Sequence, residues 1–221
     1  FIAKPVDDGC SSAVKVINNQ LELKSFASLI FRDIPALPDD AANLLNIDSK
    51  EEVPQKTQFL IEEMVVQGDA LKLIEITGGL ITKGSGEMLE YEIFEPSEAV
   101  ASKGILSLEE KFLAGEGQNI TPARFNTENS LKNKLISEQV RKDLEMVAKI
   151  LNIEGYARID AFVKIYPNNI ETLIIEVNSL PGMTPATCIF HQAAINGYKP
   201  YDFIDAILSF GIERVKQKSH V

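Results

Sequence analysis

The chain reads as an α+β protein in which antiparallel strands pack against helices. Two apolar runs, Tyr156–Val163 and Glu171–Asn178, flank Tyr166-Pro167-Asn168-Asn169, which has turn chemistry, so together they form an antiparallel hairpin. Leu131, Leu135, Ile136, Val140, Leu144, Val147, Ala148 and Leu151 recur at spacings of three and four, which predicts an amphipathic helix over 128–151. A content of 45% hydrophobic and 24% charged residues over 221 positions is that of an ordinary soluble globular protein. This length allows a real core in one moderate domain or two small ones.

The other elements follow in order. Phe1–Lys4 is a short strand leading into the loop Pro5–Ser12, and Ala13–Ile17 is a second strand. Helices are expected over 19–33 and 39–47, separated by Pro35 and Pro38. Gln58–Glu63 reads as a strand. Ala70–Ile76 and Leu80–Lys83 read as two strands around Gly78-Gly79, followed by a strand over Met88–Phe94. Residues 104–126 are rich in Gly, Pro, Gln and Asn and form a long connection, of the kind that is functional or disordered. Gly155 stops the long helix. After the hairpin come the turn Ser179–Thr184 and helices near 186–195 and 201–216.

A net charge of −10 argues against a nucleic-acid surface and against docking on anionic lipid. Cys10 and Cys188 are too few for a disulfide framework, so a reducing compartment is expected. No stretch is apolar enough to span a bilayer. The chain starts at Phe1, in what reads as a strand already under way, so it is expected to be a piece of a longer polypeptide.

The hairpin carries the chemistry. Side chains alternate across a strand, so Arg158 and Asp160 share a face, as do Glu176 and Asn178. With Pro167, Asn168 and Asn169 as the loop, Tyr166 falls opposite Ile170, Asp160 opposite Glu176, and Arg158 opposite Asn178. Directly opposed residues lie on one face of the sheet. Two neighbouring carboxylates repel each other unless a cation lies between them. The amide oxygen of Asn178 makes the donor set all-oxygen, which suits Mg²⁺. Arg158 is placed to hold the phosphate that such a metal carries. A salt bridge to Arg158 alone is the simpler alternative.

The remaining candidates each have two readings. Lys4 closes a strand ahead of a loop with Gly9, Ser11 and Ser12, whose N–H groups and hydroxyls can turn onto phosphate oxygens; an ordinary strand end has the same pattern. Glu62, Glu63 and Val65 end another strand, with Asp69 shortly after. That segment suits an adenine edge and a ribose hydroxyl, or its carboxylates are simply solvated. Lys111 and Arg124 make the long connection either a lid over a nucleotide or a mobile loop. Gly182 permits a close backbone approach and its N–H suits an oxyanion, or the segment is a plain strand-to-helix turn. His191 reads as structural and His220 lies in the tail, so no Ser-His or Cys-His triad is indicated. Cys10 lacks a candidate base.

Taken in this order, the segments resemble the ATP-grasp ligases, and within them the D-alanine–D-alanine ligase family. The most specific part is Arg158-Ile159-Asp160 followed by Glu176-Val177-Asn178-Ser179-Leu180-Pro181-Gly182-Met183-Thr184. The Lys4-Pro5 loop, Leu60–Glu63 and Glu110-Lys111-Phe112 fall where the family's other motifs stand. The resemblance covers nearly the whole chain but only the later part of such enzymes. It implies an ATP-grasp fold with the N-terminal substrate domain absent. Residues 1–70 would belong to the central subdomain, and 71–221 would form the C-terminal subdomain with the metal site and the lid 104–126.

The resemblance also implies roles. Lys4 would contact the ATP phosphates, Glu62, Glu63 and Val65 would frame adenine, and Asp69 would stand where the family usually has a ribose-binding Glu. Lys111 would reach the terminal phosphates. Asp160, Glu176 and Asn178 would hold Mg²⁺, with Mn²⁺ as the alternative. Arg158 and the Gly182 N–H would stabilise the tetrahedral intermediate. Ser11 and Ser12 would belong to the serine loop near the second substrate. Thr187 and Cys188 would hold that substrate's carboxylate, where the family often has Ser-Leu. Phe112 occupies a lid position where dipeptide-forming members usually have Tyr and D-lactate-accepting ones have Phe. The implied activity is ATP-dependent joining of two D-alanines through an acylphosphate, in cytoplasmic peptidoglycan precursor synthesis. The implied partners are small substrates, the missing N-terminal domain and a second copy in a homodimer. Little activity is expected from this chain alone. A D-lactate or other ATP-grasp ligase, and a nucleotide-binding module without chemistry, are the rivals.

Overall fold

The computed structural model describes residues 1–7, 12–48, 51–84, 86–100, 119–184 and 187–218. They fall into two compact units, the division lying between Val66 and Gln67.

The first unit contains β1 (Ile2–Pro5), β2 (Lys15–Val16), α1 (Gln20–Ile30), α2 (Asp39–Leu44) and β3 (Phe59–Glu62). Its three strands are antiparallel in the order β2-β1-β3. Asn19 starts α1 because its side chain accepts hydrogen bonds from the Leu21 and Glu22 N–H groups, while Glu22 reaches back to the Asn18 N–H. The helix stops at Ile30, earlier than its apolar pattern suggests, ahead of Pro35. Phe26, Leu29 and Ile30 of α1 meet Ala3, Ile17, Ala41, Leu45 and Val53 in a core of their own.

The second unit contains β4 (Lys72–Lys83), β5 (Glu90–Ile93), β6 (Ser97–Ala99), β7 (Asn119–Ile120), α3 (Ser130–Ile150), β8 (Tyr156–Ile165), β9 (Ile170–Asn178), α4 (Cys188–Ile195) and α5 (Pro200–Lys218). Its six-stranded sheet runs β7-β6-β4-β8-β9, with β5 also paired to β4, and every pairing is antiparallel. α3 covers one face, where Ile136, Val140, Leu144 and Ala148 pack on Ile74, Ile76, Leu80, Ile159 and Val163. On another core, Ile189 and Ala193 of α4 and Phe203 of α5 pack with Ile81 and Phe94. The α+β class with antiparallel sheets is therefore observed.

Three expectations are corrected here. Gly78-Gly79 does not break the strand: β4 runs through it without interruption. The glycines are there for space. A Cβ at Gly78 would overlap Leu144 of α3, and one at Gly79 would stand 2.5 Å from the Gln192 side-chain oxygen and 3.0 Å from Ile189, both on α4. The buried stripe of α3 is narrower than the full apolar periodicity, since Leu131, Leu135 and Leu151 are exposed. The tail of the expected lid, from 119 onward, is built into the second unit. Asn119–Ile120 pairs with β6, Ala123 and Phe125 are buried in the α3 core, and Arg124 grips Glu98 at 2.8 Å.

Candidate functional site

The site starts from a register. Arg158 lies opposite Asn178 and Asp160 opposite Glu176, as the sequence predicts, but the turn does not behave as expected. Ile165, not Tyr166, pairs with Ile170, and the Tyr166 N–H donates to the Asn169 carbonyl at 2.9 Å. The loop therefore holds one residue more on the β8 side than predicted. Continued without interruption, that register would set Asp160 opposite Ile175 and turn Glu176 to the other face. A β-bulge between Asp160 and Ala161 absorbs the difference, because Asp160 pairs with Glu176 while Ala161 pairs with Ile174. Ile175 is the extra residue, and it returns Glu176 and Asn178 to the face of Arg158 and Asp160.

The four side chains are in contact. Arg158 donates to both carboxylate oxygens of Asp160, Nε at 2.9 Å and an Nη at 2.8 Å, and lies 3.9 Å from Glu176. The Asn178 amide nitrogen donates to Asp160 at 3.2 Å and to Glu176 at 3.0 Å. Asp160 is buried, whereas the Glu176 side chain is 39% exposed, so the cluster opens on the Glu176 side. Burial of the guanidinium works against its charge, but Asp160, and more weakly Glu176, outweigh burial and raise the Arg158 pKa above its ordinary value.

This donor set fits a hard divalent cation in kind. It consists of two carboxylates plus an amide that offers its oxygen after a half-turn of the Asn178 side chain. Among the described residues no group of three or more His, Cys, Asp or Glu side chains could hold a metal ion, so the amide and the cation's other ligands would have to complete the shell. Asp160 Oδ1 accepts from Arg158 Nε and keeps one further lone pair for a metal, whereas Oδ2 accepts from both Arg158 and Asn178 and regains one when the amide turns.

The neighbouring strand and α4 build the floor. Thr77 on β4 lies opposite Asp160, and Gly79 opposite Arg158. Gln192 of α4, fully buried, accepts from the Gly79 N–H at 2.9 Å and donates to the Thr77 carbonyl at 2.7 Å and to the Ser97 hydroxyl at 2.9 Å. It bridges the gap where β6 stops pairing with β4 and β5 has not yet begun. Sequence reasoning missed this residue and examined His191 instead, which is exposed. Cys188, the first residue of α4, is buried with its thiol 4.0 Å from the Thr77 hydroxyl. Burial drives its pKa up, and the nearby Arg158 charge only partly offsets this, so the thiol stays protonated at neutral pH. Thr187 stands at the N-cap of α4, but its hydroxyl donates to the Thr184 carbonyl at 2.7 Å and does not cap the helix. Gly182 is exposed in the turn before it.

In the first unit, Lys4 and Glu62 form an ion pair at 2.7 Å. Glu63 is exposed and Val65 half-buried. Asp69, exposed, belongs to the second unit. The Ser12 hydroxyl donates to the Glu52 carbonyl at 2.8 Å. Ser11, Lys111, Phe112 and Cys10 lie outside the described residues, as does most of the expected lid. Among the described residues no helix is long and apolar enough to cross a membrane.

An antiparallel α+β unit that carries this acid–amide–guanidinium cluster on adjacent strands is what the resemblance to the ATP-grasp ligases implies. Residues 45–209 match the family described as D-ala D-ala ligase C-terminus, and the chain belongs to that family. It is 30% identical over 168 residues to the D-alanine–D-alanine ligase of Carboxydothermus hydrogenoformans, covering 75% of this chain and 49% of that one. It is 27% identical over 215 residues to that of Leptospira interrogans, covering 96% and 49%. Among solved structures, the ligase from Bacillus anthracis superimposes with a TM-score of 0.57 at 19% identity, over 98% of this chain and 56% of that one. The ligase from Coxiella burnetii does so with a TM-score of 0.59 at 17% identity, over 99% and 46%. A further Bacillus anthracis structure of this fold was solved as a complex with ATP (TM-score 0.54, 19% identity, over 98% of this chain and 52% of that one). The chain thus spans about half the length of the curated relatives it matches.

Proposed function

We propose that this chain is the catalytic ATP-grasp part of a cytoplasmic carboxylate–amine ligase. The enzyme would join two D-alanines at the expense of ATP, in peptidoglycan precursor synthesis. The observation that carries this reading is the bulge at Ile175, which sets Glu176 and Asn178 against Asp160 and Arg158 on one face. A divalent cation, Mg²⁺ or Mn²⁺, held by Asp160, Glu176 and Asn178 would neutralise phosphate charge during transfer.

In this reading the first D-alanine's carboxylate attacks the γ-phosphorus of ATP, giving an acylphosphate and ADP. The second amine then adds to the carbonyl carbon, and phosphate leaves as the amide forms. The chain's own groups supply position and charge. Arg158, already fixed by its two bonds to Asp160, directs its remaining N–H groups at the oxyanion, together with the Gly182 N–H. Lys4 would leave Glu62 for the ATP phosphates, joined by Lys111. Glu62, Glu63 and Val65 would line adenine, and Asp69 the ribose. Ser11, Ser12, Thr187, Cys188 and Phe112 would shape the acceptor site. The buried, protonated Cys188 would contribute shape there, not a charge.

The test is release of ADP by the 221-residue chain, and by the same chain joined to the substrate domain of a relative, with D-alanine as the varied component. D-alanine-dependent ADP release by the joined protein is expected, with much less from the chain alone. Nucleotide binding with no acceptor-dependent release in either protein would overturn the ligase reading in favour of a binding module. Release stimulated by D-lactate over D-alanine would instead reassign the acceptor.

A further inference from the structure

One polar side chain seats α4 on the sheet. β6 ends its pairing with β4 at Thr77, and β5 takes it up at Leu80. Between these points the Gln192 amide donates to the Thr77 carbonyl at 2.7 Å and accepts from the Gly79 N–H at 2.9 Å. These are the two bonds that a peptide group of a partner strand would make. The amide also donates to the Ser97 hydroxyl at 2.9 Å, so its acceptor and both its donors are engaged. The apolar contacts of Ile189 and Ala193 hold the helix to the sheet without direction, and the amide permits one position. The same strand positions carry the cluster, since Thr77 lies opposite Asp160 and Gly79 opposite Arg158. Gly79 has no side chain, so α4 comes close here, on the cluster's own face. One turn before Gln192, the Cys188 thiol lies 4.0 Å from the Thr77 hydroxyl, with Thr187 just ahead of it at the N-cap. Met183, in the turn that leads from Asn178, packs on the same core as Ile189.

We propose that Gln192 is a positioning residue, which indexes α4 against β4 and so sets Gly182, Thr187 and Cys188 relative to Arg158 and Asp160. The acceptor role of those three groups rests on the ligase reading above; the indexing does not. Gln192 lies beneath the site and acts only through the residues it holds. Asp160, Glu176 and Asn178 are brought together by the β8–β9 pairing itself, which Gln192 does not touch. Its loss should therefore disturb the acceptor step and spare nucleotide binding. A displacement of about 1 Å in a positioning group suffices for a roughly hundredfold loss of rate, and supporting bonds of this kind are what prevent it.

The experiment compares wild type, Gln192→Leu, Gln192→Glu and Leu144→Ala, each with Cys10→Ser so that Cys188 is the one thiol left. Leu144, fully buried, packs on the sheet from α3, so its truncation controls for lost stability alone. In the 221-residue chain, well below each melting temperature, the rate at which a small aromatic disulfide labels Cys188 reads the seating of α4. Gln192→Leu should label at least about tenfold faster than Leu144→Ala, with Mg·ATP affinity within about twofold of wild type. In the chain joined to a relative's substrate domain, kcat/KM for D-alanine should fall at least about tenfold in Gln192→Leu, with KM for ATP unchanged. Gln192→Glu should recover toward wild type as pH falls, because a protonated carboxyl again offers a donor to Thr77 and an acceptor to Gly79. Labelling no faster than in Leu144→Ala would overturn the proposal, as would a loss of Mg·ATP affinity as large as the loss of D-alanine use. Absence of D-alanine-dependent ADP release in the wild-type joined protein would instead fail the ligase reading, and the labelling rates would still decide whether Gln192 seats α4.

Discussion

Gln192→Leu is the most telling perturbation of the scaffold beneath the site. Leucine fills a similar volume but removes one acceptor and two donors from a fully buried position. The Gly79 N–H loses the acceptor that spans the gap between β6 and β5, and the Thr77 carbonyl loses its donor from α4. Ser97 keeps the Thr121 hydroxyl at 2.6 Å and is less affected. A buried polar group left without its partner costs about 1–3 kcal/mol, so two such groups cost roughly 2–6 kcal/mol, partly offset by the better transfer of leucine. With a net loss of about 3 kcal/mol, and about 2–4 °C per kcal/mol for a chain of this size, the melting temperature should fall by roughly 6–12 °C. Gln192→Glu keeps the acceptor for Gly79 but sets a carboxylate oxygen against the Thr77 carbonyl. It should therefore be at least as damaging at neutral pH and recover as the carboxyl protonates. Calorimetry and urea unfolding at several pH values measure both variants. Losses below about 1 kcal/mol for both would refute the reasoning, because the three bonds would then be incidental.

Three further outcomes follow from the same geometry. Deleting Ile175 removes the extra residue and leaves an uninterrupted ladder with Ala161 still opposite Ile174 and Asp160 still opposite Glu176, so the fold should survive at a cost of about 1–2 kcal/mol. Collapse of the fold in calorimetry would show that Ile175 does more than correct the register. Gly79→Ala should destabilise by about 1–3 kcal/mol through overlap with Gln192 and Ile189, and no measurable loss would show that α4 sits less tightly on the sheet. Burial alone would raise the Glu98 pKa, but the hydrogen bonds and charge of Arg124, helped by Lys72, outweigh it and lower it below 4.5. A carboxyl depressed in the native state stabilises above its unfolded pKa and loses that contribution as pH falls through its lower native value. Glu98→Gln should thus lower stability at pH 7 and much less near pH 3, and an equal loss at both would contradict the pairing with Arg124.

The juxtaposition of Arg158, Asp160, Glu176 and Asn178 is legible in the sequence, and what supports it from beneath is less so. Alternation alone placed Arg158 with Asp160 and Glu176 with Asn178, because a strand's period of two leaves no freedom within each pair. The cross-strand register agreed only because two features compensate. The loop is longer than its Pro-Asn-Asn signal suggests, and Ile175, unremarkable among Leu173, Ile174 and Val177, bulges to correct it. No local pattern marks such a bulge. Gly78-Gly79 read as a break because glycine's usual message is a turn, while the actual reason, helices pressing from both faces, is tertiary. β6 and β7 are too short, at three and two residues, to leave an alternation signal. Gln192 was hidden by its apolar neighbours in α4. A lone amide in an Ala/Ile-rich helix was the available signal, and His191 drew the attention instead.

In the proposed function, Asp160, Glu176 and Asn178 on one sheet face hold a cation that serves a nucleotide. Isothermal titration of ATP into the chain, with and without Mg²⁺, tests this directly in wild type, Asp160→Asn and Glu176→Gln. Mg²⁺ should tighten ATP binding in the wild type. Each substitution should cost at least about tenfold of that gain, or about 1.4 kcal/mol, with Glu176→Gln nearly neutral for the fold and Asp160→Asn less stable, since it takes from Arg158 its bidentate partner. Equal affinity for Mg·ATP in all three proteins, with each variant folded, would contradict it.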